Sequence, residues 1–171
     1  TIGTGSGQPN GIVTAATAGK VGTTGQTTTV IYDDLVDLEH SIDPAYREGG
    51  NCAFMMNDSS IKGLKKLKDT TGRPIFLPDY DINNNGKVDR ILGYPVRTNQ
   101  SVVVMAANAK SIMFGDLSKY VIRDAMMIEM LRFTDSAYAK KGQVGFLAFL
   151  RSGGNLMDVG GAIKYYQNSA T

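Results

Sequence analysis

The sequence has few of the residues that build covalent or metal-centred sites. A single cysteine, Cys52, occurs among 171 residues, which excludes an internal disulfide and a cysteine-cluster metal site and fits a reducing cell interior. The only histidine is His40, so any nucleophile activated by an imidazole would depend on that one side chain. These shortages argue against the common forms of nucleophilic and metal-centred catalysis.

Long apolar runs and a strong excess of one charge are also absent. Apolar runs, such as residues 146–150, are far shorter than the roughly 20 residues that span a bilayer, and no signal sequence opens the chain. Eighteen basic and sixteen acidic residues leave a net charge of +2, too small an imbalance to indicate a phosphate-binding surface. We expect a protein made in the cytoplasm, with no membrane partner and no sequence-specific nucleic acid partner.

The opening of the chain is rich in glycine, and residue 1 is Thr instead of Met. A stretch such as residues 3–9 normally links elements and does not begin a protein. We therefore interpret the chain as truncated or processed.

Periodic patterns predict two helices and a buried strand in the first half of the chain. Apolar residues at helical spacing predict a helix over 32–42, which Pro44 and the glycines 49–50 would stop. Residues 52–56 are typical of a buried strand. Asn57 and Asp58 can cap a second helix, whose lysines are interpreted as a solvated face in preference to a nucleic-acid contact.

The second half contains short strand patterns. They are predicted at residues 74–77, 90–96, 102–105, 111–114 and 143–151. Residues 126–133 fit a helix or a strand, and their β-branched and aromatic neighbours favour the strand. Residues 152–155 (SGGN) are typical of a turn, so a terminal hairpin would return through residues 156–166. Helices and strands in irregular order indicate an α+β fold.

One segment has the spacing of a calcium-binding loop. Asp81, Asn83 and Asn85 place oxygen ligands at positions one, three and five, and Asp89 stands at position nine. Leu92 occupies the twelfth position, where a bidentate carboxylate is needed. A polar turn of Asn and Gly explains the same residues, so a calcium-binding module is kept as the alternative function.

Other catalytic patterns are incomplete. Residues 14–21 lack the first glycine and the final Ser or Thr of a phosphate-binding loop. Ser59 and Lys62 match a Ser-x-x-Lys pattern without its partner motifs. Asp33 and Asp34 are adjacent and diverge on a helix, so they form no acid/base pair. We predict no enzymatic activity, no cofactor and no metal.

Four phrases, in order along the chain, resemble the phage capsid family of the Hong Kong 97 type. They are residues 3–12 (GTGSGQPNGI), 68–74 (KDTTGRP), 92–96 (LGYPV) and 114–120 (FGDLSKY). Within them, glycine can form turns, proline fixes φ beside short strands, and a Gly-Asp pair can end one strand and start the next. The candidate fold-specifying positions are Gly72, Pro74, Gly93, Pro95, Gly115 and Asp116.

The resemblance implies a division of the chain into three parts. Residues 1–14 would end the spine region of the peripheral domain, 15–126 would form the axial domain, and 127–171 would supply the carboxy-terminal strands of the peripheral domain. The amino-terminal arm, the extended loop and most of the spine helix of that fold would be lacking. The implied function is a structural subunit of a phage or prophage capsid that encloses the DNA genome.

The resemblance also implies partners. Copies of the chain would associate into pentamers, hexamers or rings, and scaffold, protease and portal proteins would be further partners in the virion. Some family members join subunits through a Lys, an Asn and a catalytic Glu. Residues 139–149 (AKKGQVGFLAF) contain neither Asn nor Glu, so we predict no such cross-link in this region.

Overall fold

The structure, a computed structural model, describes residues 2–75, 90–125, 128–158 and 161–171. These residues form ten strands: β1 (Thr17–Val21), β2 (Cys52–Met56), β3 (Arg90–Ile91), β4 (Tyr94–Thr98), β5 (Lys110–Asp116), β6 (Tyr120–Asp124), β7 (Glu129–Phe133), β8 (Gly145–Phe149), β9 (Ser152–Leu156) and β10 (Ile163–Gln167). They also form five α-helices: α1 (Ile12–Ala15), α2 (Tyr32–His40), α3 (Pro44–Glu48), α4 (Asp58–Lys65) and α5 (Ser136–Ala139). The predicted α+β class is confirmed.

A six-stranded mixed sheet is the centre of the fold. Its strand order is β1-β10-β5-β2-β4-β3, with parallel pairs β1–β10 and β2–β4 and antiparallel pairs elsewhere. The sequence-based boundary at residue 126 separates β10 from β1 and β5, whereas all three strands are neighbours in this sheet. The last strand therefore connects distant parts of the chain.

The two faces of this sheet bury different clusters of apolar side chains. On one face, Phe54 and Phe114 pack with residues of α2 and α4, such as Leu38 and Leu64. On the other face, Met113 packs with Ile12 and Val13 of α1, with Ile163 of β10, and with Ala16 and Val102. Alternation along the central strands thus fills both faces, as expected for strands between two layers.

The two predicted helices are confirmed as α2 and α4. Asn57 caps α4, because its side chain accepts a hydrogen bond from the backbone N–H of Ser59 at 2.9 Å. The first of these helices ends ahead of Pro44, as predicted, but Pro44 also begins a new helix. α2 ends before it at His40, and Pro44 begins α3 behind the cap Asp43, because a first-turn proline loses no intrahelical hydrogen bond.

A buried polar network fixes the end of β10 against α2. The Tyr166 hydroxyl donates toward Asp34 (3.4 Å) and Gln26 (3.3 Å), and all three residues are buried. Desolvation raises the pKa of Tyr166, and the nearby Asp34 carboxylate adds to that shift. Asn168, also buried, accepts from Ser111 at 2.6 Å.

The strand predicted at residues 74–77 lies outside the described residues from 76 onward, and within 74–75 there is only an isolated bridge at Pro74. Two further strand predictions differ from the structure. Residues 90–96 form the β3–β4 hairpin and not one strand, because Leu92 and Gly93 turn the chain with φ of 51° and 82°. Residues 102–105 form no strand. Instead, Val102 is buried in the second cluster, and its carbonyl accepts a hydrogen bond from the Asn57 side chain at 3.1 Å. This hydrogen bond takes the place of one to a neighbouring strand.

The predicted terminal hairpin is wrong as well. Residues 152–156, with the sequence of a turn at their start, form strand β9, which pairs with β6. Gly154 is suited to this strand because a Cβ there would lie 2.6 Å from the hydroxyl of Tyr120, its neighbour on β6. Strand predictions at 111–114 and over 129–133 and 145–149 are confirmed.

Along the described ranges, no helix is both long and apolar enough to cross a membrane.

Candidate interaction surface

An antiparallel ribbon projects beyond the six-stranded sheet. β6 pairs with β9, and β7 pairs with β8. The N–H of Ala125 donates to the carbonyl of Arg151 at 2.8 Å and extends the first ladder toward the second. The chain therefore leaves the sheet through β6 and β7 and returns through β8 and β9.

The outer half of this ribbon exposes large apolar side chains on both faces. Directly opposite residues share a face in an antiparallel pair, so Met130 lies beside Ala148 and Leu131 beside Leu147. Met130 and the nearby Phe146 are 65% and 66% exposed on one face, while Leu131 and Leu147 are 41% and 47% exposed on the other. Neither face has a covering layer among the described residues.

A surface of this kind is unusual for a monomeric protein. Two-stranded ribbons are marginally stable in water without a packed face, and strands that are apolar on both faces usually lie between two layers. Contiguous apolar patches beyond a few hundred Å² mark contacts with other molecules. The ribbon is therefore the strongest candidate interaction surface of the described chain.

The inner half of the ribbon contacts the rest of the protein through a small group of residues. Tyr120 and Leu156 face each other and pack against the second core cluster. The Tyr120 hydroxyl donates to the carbonyl of Asn10 at 2.7 Å, and the N–H of Asn10 donates to the carbonyl of Gly154 at 2.8 Å. The glycine-rich opening segment is thereby held on β9.

A second attachment follows β9. The carboxylate of Asp158 accepts from the Tyr46 hydroxyl at 2.9 Å and from the N–H of Ala162 at 3.0 Å. The hydrogen bond to this carboxylate is the main cause of a raised pKa at Tyr46. Asp158 therefore joins α3 to the segment that leads from the ribbon into β10.

The predicted fold-specifying positions lie in three separate turns or strand ends and form no common site. Gly72 has φ of 83° in a turn closed by Asp69, whose carboxylate accepts from Thr71 and Arg73. Those hydrogen bonds lower the pKa of Asp69. Pro74 follows in an isolated bridge with Lys68.

The second and third pairs lie elsewhere. Gly93 turns the β3–β4 hairpin, and Pro95 lies within β4 opposite Arg90. Gly115 and Asp116 end β5, and the Asp116 carboxylate accepts from the N–H of Ser118 at 3.0 Å, which caps a short 3-10 helix before β6. Each position shapes the backbone locally.

The candidate metal ligands Asp81, Asn83, Asn85 and Asp89 lie outside the described residues. Within the described ranges, no group of three or more His, Cys, Asp or Glu could hold a metal ion. His40 is exposed at the end of α2. Ser59 is part of the helix cap described above, where its N–H bonds to Asn57.

Sequence comparison assigns nearly the whole chain to one family model. The model of the phage capsid family matches residues 1–168. No curated protein matches the chain significantly.

Solved structures agree with this match. The chain is similar to the capsid of an empty GTA particle computed with C5 symmetry, with a TM-score of 0.73 and 30% identity over 95% of this chain and 57% of that one. The capsid of the native GTA particle gives the same TM-score and identity and is covered over 62%. A structure from Gordonia phage Cozz, at 20% identity and a TM-score of 0.58 over 93% of this chain and 52% of that one, shares the fold. The chain thus spans less than two thirds of the length of these structures.

Proposed function

Since this chain belongs to the phage capsid family, we propose that copies of it assemble into pentamers and hexamers of a closed shell that encloses DNA. It is a structural protein of the virion in this proposal and not an enzyme. The observation that carries the assembly step is the ribbon with large apolar side chains exposed on both faces. Burial of such side chains is the main driving force of most protein association.

The division into domains is part of the proposal. Residues 1–14 end the spine region, 15–126 form the axial domain, and the strands after residue 126 complete the peripheral domain, with one change. β10 is hydrogen-bonded between β1 and β5, which supports placing it with the axial domain.

Assembly from this surface needs no catalytic chemistry. A shell uses many copies of moderate interfaces, so a small gain per contact gives a steep dependence on protein concentration. Production in the host cytoplasm and association with scaffold, protease and portal proteins are further parts of the proposal. The calcium alternative has no supporting observation among the described residues.

Negative-stain electron microscopy of the full-length gene product across a range of protein concentration tests the proposal. We expect rings, sheets or shells above a threshold concentration. Isolated monomers at every concentration would overturn the proposal.

A further inference from the structure

One side of the six-stranded sheet carries an acidic region on α2, α3 and their flanks. Residues 31–50 contain six acidic side chains and one basic side chain. Asp34 is buried, and Asp37 and Glu39 form ion pairs with Lys20 and Arg47. The remaining acidic residues are exposed: Asp33, Asp43 and Glu48. The surface of this region is therefore acidic even after its internal ion pairs are counted.

A basic region begins at α4. Residues 58–73 contain five basic and two acidic side chains. Lys62, Lys65 and Lys66 are exposed and line an open depression of about 400 Å³ together with Asp58 and Ile61. None of these lysines forms an ion pair with the described residues. Their charges are therefore available to another molecule.

Both regions lie on the same face of the sheet but toward opposite sides of it. α2 and α4 contribute to the same core cluster through Leu35 and Ile61. α2 packs against β1, β10 and β5, which form one half of the sheet. α4 directly follows β2, and its cap Asn57 donates to the carbonyls of Gln100 and Val102, just beyond β4 in the other half.

The acidic and basic regions lie at opposite sides of one layer of the subunit. They can therefore contact each other only between two copies of the chain. A head-to-tail contact would bring the α4 face of one copy to the α2–α3 face of the next. Such a heterologous contact closes into a ring when its rotation fits. A surface that binds DNA phosphates would instead carry basic charge without an acidic counterpart on the same layer, and the net charge of only +2 gives no such excess.

We infer that the basic face formed by Lys62, Lys65 and Lys66 docks on the acidic face formed by Asp33, Asp43 and Glu48 of a second copy. The inference rests on the proposed function, because it names one contact within the assembly. The ribbon supplies apolar burial, and the charged faces set the direction in which copies join. Complementary charges speed correct encounters, and like charges oppose inverted ones.

Charge reversal tests this contact. The variant Lys62→Glu/Lys66→Glu should raise the threshold concentration for assembly at least tenfold at low salt. Adding Asp33→Lys/Glu48→Lys to the same chain should restore assembly, because the charges are then exchanged. The neutral variant Lys62→Gln/Lys66→Gln should weaken the salt dependence of assembly, since exposed charges are screened within about 10 Å at 0.1 M salt.

A matched control changes two exposed arginines on β3 and β4, Arg90→Glu/Arg97→Glu, which lie outside the ribbon and outside both charged faces, and it alters net charge equally. Light scattering gives the threshold, and circular dichroism melting shows that each variant is folded. The inference is overturned if the α4 reversal assembles like wild type, if a folded exchange variant stays defective, or if the control is equally defective.

Two further outcomes separate this inference from the proposed function. Wild-type protein that never assembles overturns both. Unchanged assembly of the Lys62→Glu/Lys66→Glu variant, combined with weaker binding of random-sequence double-stranded DNA, overturns the contact between copies and assigns the face to DNA, while the proposed function stands.

Discussion

Phe54 on β2 and Phe114 on β5 are directly opposed across the antiparallel ladder, with ring centroids 4.4 Å apart. The ring of Tyr94 on β4 meets Phe114 edge-on, at a centroid distance of 4.9 Å. These rings connect three adjacent strands at the centre of the main cluster. Aromatic pairs of this geometry stabilise a core by more than their buried area alone.

Replacing Phe114 by Ala should lower the free energy of unfolding by about 3–5 kcal/mol, because it removes a fully buried ring and leaves a cavity. Urea denaturation of unassembled protein measures the effect. Phe149→Ala is the matched control. Its ring is 40% exposed on the ribbon, so a substantially smaller loss is expected. Equal losses would contradict the described core.

Gly115→Ala should be strongly destabilising. The residue has φ of 145°, and a Cβ would lie 2.1 Å from the carbonyl oxygen of Ala162. β10 would have to move away from β5, so we expect a loss of about 2–5 kcal/mol from backbone strain and overpacking together.

Gly72→Ala provides the comparison for this variant. Gly72 also has positive φ, but nothing lies within 4 Å of the added Cβ. Only conformational strain remains, about 1–2 kcal/mol. Thermal melts should therefore give Gly115→Ala a much lower melting temperature than Gly72→Ala. The opposite order would contradict the close approach of the chain at Ala162 to β5.

Asn57 combines a helix cap with two hydrogen bonds to a distant loop. Its Oδ1 accepts from Ser59, and its Nδ2 donates to the carbonyls of Gln100 and Val102, each at 3.1 Å. Asn57→Ala should cost about 2–4 kcal/mol, from the lost cap and from carbonyls left unsatisfied.

Asn57→Asp keeps the cap acceptor but removes the donor, and it places a carboxylate beside two carbonyl oxygens. It should be no more stable than Asn57→Ala at neutral pH. Urea denaturation of both variants checks this, and near-wild-type stability of Asn57→Asp would mean that the loop contacts contribute little.

Tyr166 should make the folded state less stable at alkaline pH. Its pKa is raised above the ordinary value of about 10, so its contribution to stability is complete below pH 10 and declines as pH rises beyond it. The advantage of wild type over Tyr166→Phe should be constant from pH 7 to about 9.5. Above about pH 10 it should fall by up to about 1.4 kcal/mol per pH unit.

Denaturant titrations at a series of pH values measure this difference directly. A difference between wild type and Tyr166→Phe that stays constant to pH 11 would show that Tyr166 ionises equally well in the folded and unfolded states.

The ribbon should matter for assembly and not for the fold of the single subunit. Met130→Ser/Phe146→Ser removes two side chains that are about two-thirds exposed, so the melting temperature of unassembled protein should change little. The threshold concentration for assembly should rise, because these side chains are proposed to be buried between molecules. Val103→Ser/Val104→Ser, at exposed positions of the loop after β4, serves as the control; an unchanged threshold for the ribbon variant would remove the ribbon from the interface.

Local signals were sufficient for the helices and for the central strands. α2 and α4 have apolar residues at helical spacing, and α4 begins at a polar cap, so both are specified by neighbouring residues. β2 and β5 are buried and apolar over their length. In each case the decisive information lies within one element.

β9 and β10 could not be predicted in this way. Gly153 and Gly154 are typical of a turn, and they form a strand only because Arg123 and Ile122 on β6 pair with them. β10 joins β1 in parallel across more than 140 residues, a contact that no short pattern records. The sequence did contain one unused signal for the ribbon: residues 144–150 are apolar at both alternating positions, which is typical of strands covered on both faces.

The position of β10 also sets the order in which the subunit can be completed during synthesis. β10 lies between β1 and β5, so the first strand has no partner in the sheet until residues 163–167 have left the ribosome. Chains grow at about 5–20 residues per second, and β1 must therefore wait for several seconds after its own synthesis. A nascent subunit cannot close its central sheet, or complete the contacts of α2 with β1 and β10, before residues 163–167 have been translated.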